Sequence, residues 1–142
     1  MPPAPRIDFE PFLDDATRQF VTHGVDGHNI AATGLPEYFP VNFVVRGEAG
    51  DVLGGLLGQL WGGWLHVNYL WVATGLRGEG FGARLVEAAE AYARERGAIG
   101  AMLETYSFQA RPFYERLGYE VFGVLEDCPP GHTRFHLKKA LT

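Results

Sequence analysis

The stretch from Trp64 to Thr105 constrains the fold more than any other part of the chain. Phe81, Leu85, Ala88, Ala89, Tyr92 and Ala93 recur at helical spacing, while Arg84, Glu87, Glu90, Arg94 and Glu95 mostly fall on the opposite side. Glu90 and Arg94 form a favourable i,i+4 pair, and Gly97 stands at a natural helix stop. Trp64 to Val72 before this helix and Ala101 to Thr105 after it read as strands. Two strands joined through one helix pair in parallel by a right-handed crossover.

Further strands precede this unit. Asn42 to Arg46 is followed by the turn-forming Gly47 to Asp51, then by Val52 to Trp61. Gly62-Gly63 next marks a tight hairpin, because both glycines can take positive φ. After the crossover, Gln109 to Leu117 reads as a short helix closed by Gly118, with Pro112 in its first turn, where no amide hydrogen is needed. Tyr119 to Leu125 and Thr133 to Lys138 complete the pattern; in the last, Thr133, Phe135 and Leu137 alternate with Arg134, His136 and Lys138, as in a half-buried edge strand. The expected fold is a mixed α/β sheet, antiparallel except for the one parallel pair.

The first forty residues follow a different pattern. Asp14 to Val25 reads as a helix and His23 to Pro40 as a long loop rich in Gly and Pro. Six acids (Asp8, Glu10, Asp14, Asp15, Asp26, Glu37) against two bases (Arg6, Arg18) lie here, which favours a cationic partner or simply a solvated face. Across all 142 residues, twelve Lys and Arg against seventeen Asp and Glu give a net charge of −5, a poor balance for gripping a nucleic-acid backbone. This length suits a single domain. The most apolar stretch, Val52 to Leu65, is too short and glycine-rich to span a bilayer. A single cysteine, Cys128, and an opening Met1 to Pro5 without signal-peptide character point to the cytoplasm. Neither nucleic acid nor membrane is an expected partner.

Nineteen glycines exceed the roughly ten that average usage gives this length, and their placement is informative. Arg77-Gly78-Glu79-Gly80-Phe81-Gly82 lies between strand and helix. Unpaired amides and the positive dipole end at a helix N-terminus favour a phosphate, glycines let the backbone approach it, and Arg77 adds charge. The spacing is neither the dinucleotide fingerprint nor a P-loop, since no Gly-Lys-Ser/Thr follows.

With this turn the chain resembles the GNAT superfamily of acetyl-CoA-dependent N-acetyltransferases. Arg77, Gly80 and Gly82 match that family's Gln/Arg-x-x-Gly-x-Gly/Ala pattern, and Ala110, Phe113-Tyr114 and Gly118-Tyr119 match its second landmark. The resemblance covers roughly Val41 to Leu141 and implies a GNAT-like acyltransferase fold in one domain, 1–142. Residues 41–141 would form the CoA-binding core and 1–40 a helix-and-loop substrate region. It further implies a slot where the parallel strands splay, with pantetheine along Leu70, Trp71 and Val72 and the pyrophosphate on the amides of Arg77, Gly78, Glu79, Gly80, Phe81, Gly82 and Ala83. Where family members often place an Asn against the pantetheine arm, this chain has Ser107, with Gln109 close by.

Amide formation from acetyl-CoA needs a neutral amine, a stabilised oxyanion and a proton for the departing thiolate. An alkylamine near the Lys reference pKa of ~10.4 is protonated at neutral pH, so a base or a water chain must deprotonate it. The Val72 amide is the candidate oxyanion donor. The resemblance assigns Tyr114 as the acid that protonates the thiolate. His66 falls where some family members carry a carboxylate base, and on an alternating strand it shares a face with Asn68, Leu70 and Val72. His66 and water remain alternatives for this step. Tyr38, Phe39, Trp61, Trp64 and Tyr106 are candidate walls of an acceptor pocket or simply core aromatics. Glu104 is read as a strand-end residue facing solvent, with amine recognition as its alternative. His132 and His136 have no third ligand, so no metal is expected. Cys128 reads as a loop thiol, since acyl transfer here needs no enzyme nucleophile.

The expected activity is direct transfer of acetyl from acetyl-CoA to a primary amine in a ternary complex. The acceptor stays open among small amines, amino acids, antibiotics and protein amines, and a second copy of the chain is a candidate partner. A non-catalytic CoA-binding regulatory or partner-binding domain of the same fold is the alternative, and another acyl donor in the same slot is a third reading.

Overall fold

The computed structural model describes residues 1–36 and 38–142. The chain divides into two compact units, Met1–Glu37 and Tyr38–Thr142. The first holds one helix, α1 (Asp15–Thr33). Asp14 caps it by accepting the Thr17 amide at 2.6 Å, and this bond holds the exposed Asp14 carboxyl below its usual pKa. The expected helix stopped at Val25; the observed one runs through Gly24 and Gly27, so the loop expected from His23 begins only after Thr33. Two interior glycines cost a helix roughly 1 kcal/mol each relative to Ala, a weak local preference that does not by itself end the helix. The stop is Gly34, in left-handed geometry at φ 71°. Glu37, the acid closing that expected loop, lies outside the described residues.

The second unit is a mixed α/β sheet. Its strands are β1 (Phe39–Arg46), β2 (Val52–Trp61), β3 (Trp64–Val72), β4 (Gly100–Tyr106), β5 (Glu120–Glu126) and β6 (Thr133–Ala140), in the spatial order β1-β2-β3-β4-β6-β5. Only β3 and β4 pair in parallel. Between them runs α2 (Phe81–Glu95), and α3 (Arg111–Arg116) links β4 to β5. The hairpin glycines Gly62 and Gly63 take φ 61° and 81°, as a tight turn requires. Pro40, expected in a loop, lies in β1, an edge strand where a missing amide is tolerated. The edge on the other side is β5; β6, expected there, is interior, because it inserts antiparallel between β4 and β5.

Two local features position the site. The first is a bulge: Leu57 pairs with Tyr69 but Gly58 with Val67, leaving Asn68 as an extra residue in β3. A Cβ on Gly58 would fall 2.5 Å from the His66 carbonyl oxygen, so this close approach needs a glycine. The extra residue reverses the alternation of β3. Leu70 and Val72 therefore pack against the core formed by Leu65, Val67, Leu85, Ala89 and Leu103, and do not share a face with His66, as simple alternation had implied. The second feature is divergence: β3 and β4 pair only from Trp64↔Gly100 to Val67↔Leu103, after which the strands part.

α2 is pinned to the sheet by its apolar face and by one buried carboxylate. Glu90 is 2% exposed and accepts the Tyr119 hydroxyl at 2.7 Å and the Lys139 ammonium at 2.9 Å. Burial, reinforced by the Glu90 carboxylate, pushes the Tyr119 phenol far above its ordinary pKa. Among the described residues, no helix is long and apolar enough to cross a membrane.

Candidate active site

Where β3 and β4 part, two cavities follow one another. The larger, of about 510 Å³, runs over the glycine turn and is lined by Leu70, Trp71, Val72, Leu76, Arg77, Gly78, Gly80, Phe81, Gly82, Ala83, Ala110, Phe113 and Arg116. The smaller, of about 250 Å³, occupies the notch itself, and its lining includes Asn68, Tyr69, Glu104, Gln109 and Tyr114. Leu70, Trp71 and Ala110 belong to both, so the two form one groove.

The glycine turn is built as its sequence implies. Gly78 and Gly80 sit at φ 84° and 82°, which side-chain-bearing residues rarely adopt. Gly80 caps α2, and Phe81, Gly82 and Ala83 open its first turn, where amides have no intrahelical acceptor. Arg77 folds back, its Nε donating to the Val72 carbonyl at 3.1 Å. The neighbouring Ala73 amide donates to Leu53 of β2 at 2.8 Å. By strand alternation Val72, one residue earlier, turns its own N–H and C=O toward the opposite edge, on the side of the larger cavity, which it lines.

Tyr114, on α3, is 8% exposed. Burial pushes its phenol pKa up to about 12. Among the described residues its hydroxyl has no hydrogen-bond partner, and it lies on the notch with Glu104. The Glu104 side chain, 19% exposed, does not face solvent as expected: its Oε2 meets His66 Nε2 at 2.9 Å, and its Oε1 lies 3.7 Å from His136 Nδ1. A carboxylate between two imidazoles on adjacent strands is poorly hydrated, and each imidazole offers it a partner. His66 does not line the notch; it reaches that cavity through Glu104.

Of the other residues singled out in the sequence, Leu70, Trp71, Val72, Arg77, Gly78, Gly80, Phe81, Gly82 and Ala83 come together on the groove. Glu79 lies in the turn but not among the lining residues. Ser107 is tied elsewhere, its hydroxyl accepting the Thr133 amide at 3.0 Å. Gln109 lines the notch, but its carbonyl accepts the Tyr106 amide at 3.1 Å and the Thr105 hydroxyl at 3.3 Å. Sequence reasoning missed Arg116, a second cation on the groove. The spacing Ala110, Phe113, Arg116 carried the signal, since residues three apart share a helix face.

The model of the acetyltransferase (GNAT) family matches residues 6–119. Over 96 residues the chain is 50% identical to blasticidin-S acetyltransferase of Streptomyces morookaense, covering 67% of this chain and 71% of that protein. The crystal structure of an acetyltransferase from Bacillus cereus ATCC 14579 superposes with a TM-score of 0.80 at 29% identity, over 94% of this chain and 97% of that one. That of nourseothricin acetyltransferase superposes with a TM-score of 0.63 at 30% identity, over 71% and 65%.

Proposed function

From its membership of the GNAT acetyltransferase family, which makes the chain an acyltransferase, we propose that it moves acetyl from acetyl-CoA directly to the primary amine of a small, antibiotic-like acceptor. The observation that carries this reading is the notch between β3 and β4, lined by a buried phenol and a histidine-bound carboxylate and continuous with the cavity over the glycine turn. The acceptor class is supported by the resemblance to blasticidin-S and nourseothricin acetyltransferases. A net charge of −5 suits a cationic amine.

The residues fit acetyl-CoA. Left-handed glycines leave the turn without side chains that would block an anion, and nothing lies within 4 Å of where Cβ atoms on Gly78 and Gly80 would stand. The amides of Phe81, Gly82 and Ala83, with Arg77 and Arg116, would hold its pyrophosphate; the backbone of Leu70, Trp71 and Val72 would hold its pantetheine arm. When bound, acetyl-CoA supplies an acetyl group activated as a thioester.

The protein's own residues then divide the proton work. His66, its imidazole oriented by Glu104, takes the proton that the amine must lose. Val72 N–H, on the open edge of β3 that lines the groove, steadies negative charge on the acetyl oxygen. Tyr114, held protonated by its burial, donates to the leaving sulfur. Incubation with acetyl-CoA and an amine panel containing blasticidin S, nourseothricin, polyamines and Lys peptides, followed by free thiol, tests the reading. Release with the antibiotics supports it; release with the peptides alone overturns the acceptor class.

A further inference from the structure

Trp61 and Trp64 face each other as a register pair across the Gly62-Gly63 hairpin. Cross-strand aromatic pairs ordinarily gain by packing on each other. Here each ring is drawn to a different partner. Trp61 packs beside Tyr38, with ring centroids 5.6 Å apart. The Trp64 indole lies over Gly100, where a Cβ would stand 2.5 to 2.9 Å from its ring atoms. Any other residue at 100 would push that ring back toward the hairpin axis. The indoles thus bound a cavity of about 280 Å³, with Tyr38, Gln59, Gly62, His66 and Met102 completing its lining.

The chemistry of this lining is selective. It offers indole faces, which attract flat π groups and delocalised cations. Gln59 presents an amide that can both donate and accept. Against the indole faces a flat, weakly hydrated cation binds better than a compact, strongly hydrated ammonium. The volume is below that of a typical drug-sized site, which begins at about 300 Å³, and suits one ring or one guanidinium. His66 lies at its border and bonds Glu104, which lines the notch.

We propose that this cavity is an anchoring subsite for the acceptor: a flat, nitrogen-bearing group, a guanidinium or a heteroaromatic base, slides between Trp61 and Trp64, and a short tether carries its primary amine to His66. The assignment rests on the acetyltransferase reading above. It makes Trp64 and Gly100, which do not line the acetyl-CoA groove, determinants of acceptor choice.

The test compares three primary amines, agmatine, 2-(2-aminoethyl)pyridine and pentylamine, in steady-state transfer and in quenching of tryptophan fluorescence without acetyl-CoA. The wild-type protein is expected to show a KM at least about tenfold lower for one flat amine than for pentylamine; which of the two it is distinguishes guanidinium from heteroaromatic recognition. Trp64→Leu should erase that difference by raising the KM of the favoured flat amine toward that of pentylamine, and Trp64→Phe should restore part of it. Gly100→Ala, which displaces the Trp64 ring without removing it, should act like Trp64→Leu. Equal KM values for the three amines in the wild type, or an equal loss for all of them in Trp64→Leu, would overturn the subsite. If no amine is acetylated but agmatine or the pyridine still quenches fluorescence in a Trp64-dependent way, the subsite stands and the acetyltransferase reading fails. Transfer without discrimination gives the reverse.

Discussion

His66 Nε2 lies 2.9 Å from Glu104 Oε2, and the two residues stand on the neighbouring parallel strands β3 and β4 at the last stretch before they part. The contact joins an imidazole on one face of the sheet to a carboxylate in the notch. His66→Ala should cost about 100-fold in turnover. Glu104→Gln should keep the fold and the acetyl-CoA affinity but lower turnover, because the amide no longer holds the imidazole by charge. Steady-state kcat/KM for both variants is the check; an unchanged value in His66→Ala assigns proton removal to water.

Tyr114 should behave as an acid that never titrates in the working range. Desolvation disfavours its phenolate and raises the pKa to about 12, so the phenol stays protonated to beyond pH 10. Tyr114→Phe should lower kcat by about 100-fold or more, with acetyl-CoA affinity within about twofold. The same shift predicts alkaline instability. A folded-state pKa raised above the unfolded value of about 10 gives stability that is full below pH 10 and is lost as pH rises toward 12. Thermal unfolding at pH 8 and pH 11.5 should show a smaller loss for Tyr114→Phe than for the wild type.

Glu90 carries a structural prediction independent of catalysis. Its buried carboxylate satisfies Tyr119 and Lys139 together. Glu90→Ala leaves both without their acceptor and should destabilise the fold by about 3 to 5 kcal/mol, measured by urea unfolding. Lys139→Met should cost at least as much, since it leaves the buried carboxylate with only the Tyr119 hydroxyl and, at 4.0 Å, Arg94. Equal stability of Glu90→Ala and wild type would mean that α2 is held by its apolar face alone.

Gly80 sits at φ 82° as the residue that opens α2. Gly80→Ala forces a side chain into left-handed geometry and should cost about 1 kcal/mol of stability. A turn that rotates to relieve this strain misdirects the first amides of α2, so acetyl-CoA affinity by calorimetry should drop by about tenfold or more. Unchanged affinity would move the phosphate contact elsewhere in the groove.

Much of this arrangement is legible in the residues. The Gly-Gly hairpin, the period of α2 and the turn before it each report a local preference that the packing does not override. The groove residues from Leu70 to Ala83 follow from that turn, because backbone position decides them. What simple patterns miss is non-local. One extra residue at Asn68 reverses the alternation of β3, and nothing in Val67-Asn68-Tyr69 announces it. Glu104 reads as an exposed strand-end acid until β3 and β6 bring His66 and His136 to its two oxygens. The continuation of α1 through Gly24 and Gly27 likewise defeats a reading that takes each glycine as a break, when only Gly34 adopts the conformation that ends the helix.

Mass spectrometry of one reaction mixture, with protein, acetyl-CoA and an antibiotic amine, weighs every component of the proposed transfer. The expected result is an acetylated amine and free CoA in equal amounts, no CoA release when the amine is omitted, and a protein of unchanged mass. An acetylated protein, or an unacetylated amine in the presence of released CoA, would contradict direct transfer at the notch between His66-Glu104 and Tyr114.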